Sequence, residues 1–107
     1  MIETAATPKV ARHEALCKEL NNLYAKKNHD YGDSSHQTFL EEGFAMSRIR
    51  LSDKLNRFKS LTKKPVLDQQ VTDESIRDTL IDLANYALMP VLEIEEEQKK
   101  DGVTQSG

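Results

Sequence analysis

The sequence predicts an all-α protein, a small domain of about four helices, and three observations lead there. Apolar residues recur at the helical period in each long segment, while no segment alternates convincingly as a strand would. Helix punctuation is spaced along the chain: Thr7-Pro8 near the start, Gly32 among polar residues, and Pro65 in a short linker. Two segments, 43–61 and 73–92, also carry charged side chains in stripes beside apolar rows, as paired helices would.

The first helix is predicted to open at Thr7, whose hydroxyl can cap, with Pro8 at the first helical position, where a missing N–H is harmless. It should run to about Lys27, with Leu16, Leu20 and Leu23 as its apolar stripe and Cys17 and Tyr24 beside them. Cys17 reads as a buried small apolar residue. Residues 27–35, KNHDYGDSS, favour a turn. Ser34 or Ser35 can cap a short second helix through Glu42, after which Gly43 either bends the chain or only lowers helix propensity.

The third helix, GFAMSRIRLSDKLNRFKSL, places Arg50, Asp53, Lys54 and Arg57 on one stripe beside the apolar row Phe44, Leu51, Leu55 and Phe58. Three of these charges are positive. A basic stripe at the edge of a buried face suits phosphate, since arginine offers a planar fork and lysine a compact charge. Residues 62–72 form the clearest linker, and Thr72 or Asp73 can cap the fourth helix. Pro90 lies inside that helix and predicts a kink near Tyr86. After Ile94 the apolar period ceases, so a frayed tail is expected. The expected organisation is a flexible N-terminus over 1–6, a helical nucleotide-handling domain over 7–95, and a disordered tail over 96–107.

The fourth helix carries the second stripe: Glu74, Asp78, Asp82 and Asn85, at spacings of four, four and three, within an otherwise apolar surface. Buried carboxylates must be balanced by cations. They therefore form either a divalent-metal or nucleotide site, or a charge network with Arg50, Lys54 and Arg57. Magnesium is the fitting ion, because it takes a few carboxylates together with substrate phosphates. The same two readings apply to KNHDYGD: a plain cap and turn, or a loop in which Tyr31 stacks on a base while Lys27 and Asn28 reach polar atoms.

Bulk properties narrow the classes. A length of 107 residues allows one domain with a modest core, and that scarcity of core predicts a homodimer or homotetramer sharing the apolar faces of the fourth helix. A net charge of -3 argues against general coating of nucleic acid. The single cysteine excludes an intrachain disulfide. The lack of a long apolar run and of a basic-then-apolar leader predicts no membrane partner and a cytoplasmic location.

The order KxxDYG, then IRLxDKxxRxxxL, then DESxxDTLxDLANYA closely resembles the nucleotide-modification-associated helical domain of phage and bacterial genomes. The motifs fall at residues 27–32, 49–61 and 73–87, and the similarity covers roughly 20–92. It implies a role around modified nucleotides, in a protein encoded by a phage. A weaker similarity links Asp78–Leu88 to the second metal helix of MazG-type all-α nucleoside-triphosphate pyrophosphatases, which implies MazG-like packing and magnesium-dependent nucleotide pyrophosphohydrolysis. Their first metal helix carries E-E-x-x-E, whereas this chain has Arg50, Asp53, Lys54 and Arg57. Basic groups in place of carboxylates bind phosphate directly.

Together these readings predict a nucleotide-binding protein. Lys27, Tyr31, Arg50, Lys54, Arg57 and Asn85 would hold the ligand, and Asp53, Glu74, Asp78 and Asp82 would hold magnesium. The alternatives are a non-catalytic sponge for a nucleotide immune signal and a structural helical partner.

Overall fold

In the computed structural model, residues 7–31, 34–63 and 69–105 are described, those of 101–105, Asp30 and Tyr31 by backbone alone. They form four helices, α1 (Pro8–Tyr31), α2 (Ser34–Glu42), α3 (Ala45–Lys63) and α4 (Gln69–Gln105), with no strand among them. The protein is all-α. The chain divides into two compact units, Met1–Asp33 and Ser34–Gly107. The flexible N-terminus expected over 1–6, the turn at Gly32 and the linker proline Pro65 lie outside the described residues.

The first unit consists of α1. Thr7 caps it as the sequence predicts: its Oγ1 accepts from the Val10 amide at 3.2 Å, and its carbonyl accepts from the Ala11 amide at 3.0 Å. The helix continues through Tyr31 and not only to Lys27. Residues 28–31 contain neither glycine nor proline, so nothing local stops it before Gly32. Cys17 is exposed, contrary to its expected burial, and its Sγ lies 3.8 Å from Nδ1 of His13 one turn earlier. A single helix covers little of its own surface, so an apolar neighbour on the same stripe does not bury the thiol.

In the second unit, Gly43 bends the chain. Its φ of +65° is the left-handed conformation that ends helices, and its amide donates to the Phe39 carbonyl at 2.8 Å, closing the last turn of α2. Phe44, just past the turn, meets Phe39 edge-on with ring centroids 5.2 Å apart, which fixes the α2–α3 corner. Arg48 then donates its amide to the Phe44 carbonyl at 2.9 Å as α3 begins.

The α4 helix is longer than the sequence predicts at both ends. It opens at Gln69, whose side-chain amide donates to the Asp73 carboxylate one turn on, so Asp73 lies within the helix and does not cap it. It passes Pro90 without ending and runs beyond Ile94, where fraying is expected, to Gln105. Glu95–Lys100 is built from strong helix formers. Lys100 also pairs with Glu97 at 3.7 Å.

Helices α3 and α4 pack against each other and form the body of the second unit. Their contact is unusual in one respect. No apolar side chain among the described residues is fully buried, and the one buried residue is Thr79, at 3% exposure. The most deeply buried side chain is thus polar, while Leu51 and Phe58 of α3 and Leu83 and Met89 of α4 are half-buried. No helix among the described residues is long and apolar enough to cross a membrane.

Candidate functional site

Along the α3–α4 seam, three cations of α3 meet three side chains of α4 in antiparallel order. Arg57 donates from Nε to Oγ1 of Thr79 at 3.2 Å. Lys54 Nζ lies 3.2 Å from Oδ2 of Asp82. One turn further, the Arg50 guanidinium carbon sits 5.8 Å from the centroid of the Tyr86 ring, and Lys54 Nζ lies 5.9 Å from the same centroid. The sequence spacings match: Arg50, Lys54 and Arg57 are separated by four and three residues, and Tyr86, Asp82 and Thr79 by four and three in reverse. Equal steps on two antiparallel helices keep each pair level.

Thr79 anchors this ladder. Its hydroxyl donates to the Ser75 carbonyl at 2.7 Å while accepting from Arg57, so both roles of the buried oxygen are used. Fixing Nε also orients the guanidinium plane, whose remaining donors form the fork that suits an oxyanion. Arg50 and Arg57 are exposed overall, and the Lys54 and Asp82 side chains retain 27% and 31% exposure. The row can therefore be reached by solvent and by a small anion. A cation against an aromatic face is held by the ring quadrupole, with about 0.5–1 kcal/mol at sites as open as this.

A second polar link joins α2 to α4 beyond the ladder. His36 Nδ1 lies 2.6 Å from Oε1 of Glu93, with side-chain exposures of 24% and 15%. It continues the same face of α4, since Glu93 stands seven residues, two helical turns, beyond Tyr86.

The structure brings together Arg50, Lys54, Arg57 and Asp82 of the residues selected from sequence. Asp53, expected on the same stripe, is exposed, as are Arg50 and Arg57. Glu74 and Asp78 are exposed as well, and Asn85 is half-buried on α4. Among the described residues, no group of three His, Cys, Asp or Glu side chains converges to hold a metal ion. Lys27 is exposed on α1 and Tyr31 ends that helix, both in the other unit. Thr79, Tyr86, His36 and Glu93 were not selected. For Thr79 and Tyr86 a signal existed: they stand three before and four after Asp82, the offsets that share its helical face.

The family model described as nucleotide modification associated domain 1 matches residues 27–94, which span the ladder and the His36–Glu93 link. No curated protein and no solved structure matches the chain. With more than half its length matched, the chain belongs to the nucleotide modification associated domain 1 family.

Proposed function

We propose that this protein binds a nucleotide or nucleotide-derived small molecule along the α3–α4 seam, in the context of nucleotide modification that the family's description names. The observation that carries the reading is the Tyr86 ring approached by both Arg50 and Lys54, at 5.8 and 5.9 Å from its centroid, with Arg57 next in the row. Three cations face one carboxylate, Asp82, so the ladder itself has surplus positive charge. Phosphates are taken by Arg50, Lys54 and Arg57. The Tyr86 ring beside these cations would offer a stacking surface for the base.

Magnesium enters this reading with the phosphates. Asp82 is the carboxylate adjoining the cationic row, and it would be the protein's ligand to a magnesium ion that arrives with the phosphates. In the enzymatic form of the proposal, magnesium held by Asp82 together with the ligand's phosphates would supply Lewis-acid chemistry for pyrophosphohydrolysis.

The Lys54–Asp82 pair favours a second reading, sequestration without turnover. A carboxylate already neutralised by a protein cation serves the charge balance of a binding site, and a ligand phosphate can replace it on Lys54 at little cost. A thermal-shift screen of nucleotides and cyclic dinucleotides, with and without magnesium and alongside a product assay, decides between the two. Stabilisation with magnesium-dependent product supports hydrolysis, and stabilisation without product supports sequestration. No stabilisation by any of them removes the nucleotide reading.

A further inference from the structure

We infer that a second copy of this chain docks on the face of α4 that turns away from α3, in antiparallel orientation, with the two-fold axis passing between Ala84 and Ala87. The inference is independent of the nucleotide reading, because it uses the opposite side of the helix. Thr79, Asp82, Tyr86 and Glu93 place one face of α4 against α3 and α2. At about 100° per residue, Leu80, Ala84, Ala87 and Val91 lie roughly 150° around from that face. Their spacings of four, three and four are those of a helix–helix seam.

This face is apolar, and in the second unit it is open. Leu80 is 40% exposed and Val91 44%, with Leu88 beside them at 52%. Ala87 is exposed too, and Ala84 is half-buried. Hydrocarbon on α4 is thus only partly covered within the unit: Ile76, Leu83 and Met89 are half-buried, whereas much of this stripe is left to solvent. A continuous apolar stripe of this kind marks an interface. Alanine at the two central positions allows close approach of two helix backbones, with Leu80 of each copy level with Val91 of the other.

Charge selects the occupant and its direction. Arg77 and Glu95 are both exposed and stand on the same flank of the stripe, 18 residues and about 27 Å apart along the helix. In a parallel pair they would stay that far apart. Antiparallel pairing about the Ala84–Ala87 centre brings Arg77 of one copy level with Glu95 of the other, and two-fold symmetry repeats the contact. The stripe is thus complementary to itself in one orientation.

Analytical ultracentrifugation with light scattering on the full chain tests this. The expected mass is twice 12.2 kDa. Ala84→Glu should give a monomer that keeps its helical circular dichroism. Because a core change can also disturb folding, the flank is tested separately. Arg77→Glu and Glu95→Arg should each raise the dimer dissociation constant, by roughly five- to tenfold, and the double reversal should restore it. A wild-type monomer at high concentration overturns the inference, as does a dimer that Ala84→Glu leaves intact. Failure of the double reversal to rescue both singles overturns the antiparallel orientation.

Discussion

Arg57 donates to Thr79 across the seam between α3 and α4, and Thr79, in turn, donates to the Ser75 carbonyl of its own helix. The one buried side chain among the described residues is thus a hydroxyl with both of its roles filled. Replacing it by valine keeps the shape and deletes the oxygen. Both hydrogen bonds of the hydroxyl are lost, and Arg57 is exposed enough to find water, so the expected loss is about 1–2 kcal/mol. Urea unfolding of Thr79→Val against wild type measures it, and an unchanged midpoint would show that these two bonds contribute nothing to stability.

Gly43 supplies a prediction of a different origin. A Cβ there meets nothing within 4 Å, so the cost of Gly43→Ala is conformational and not steric. An L-residue held at φ +65° loses about 1–2 kcal/mol. Asparagine tolerates this conformation better, and Gly43→Asn should fall between alanine and wild type in thermal denaturation.

His36 and Glu93 are 57 residues apart in sequence and 2.6 Å apart in space, the link that holds α2 to α4. A double-mutant cycle with His36→Ala and Glu93→Ala should return a coupling energy of about 1–2 kcal/mol, as expected for a part-buried charged contact. A coupling near zero would place α2 independently of α4.

Tyr86 separates stacking from hydrogen bonding. Phenylalanine retains the ring face that Arg50 and Lys54 approach, whereas leucine removes it. Under the proposed function, Tyr86→Leu weakens nucleotide affinity at least about fivefold and Tyr86→Phe leaves it nearly unchanged. Equal losses in both variants would assign the effect to the hydroxyl.

Much of this architecture was legible in the residues, because local signals are short-range. The Thr7-Pro8 start needs only the chemistry of two neighbouring residues. The facing of α3 and α4 follows from two charged stripes beside apolar rows, and the Lys54–Asp82 pair lies where those stripes adjoin. What escaped lies beyond those signals. The His36–Glu93 contact joins segments that no local periodicity connects. The length of α4 was hidden because its last turns are held by helix propensity and an i,i+3 pair, not by an apolar stripe. Thr79 and Tyr86 share the face of Asp82 but carry no charge, so a stripe picked out by charge passes them over.

Whether the cationic row of α3 receives a nucleotide's phosphates is decided by titration calorimetry of a nucleotide and cyclic-dinucleotide panel into wild type and Arg57→Ala. Saturable binding to wild type is expected, with an affinity lowered by about tenfold or more in the variant, since a charge-assisted contact is removed while the helical signal persists. Equal affinity of the two proteins, or no binding heat across the panel, would contradict it.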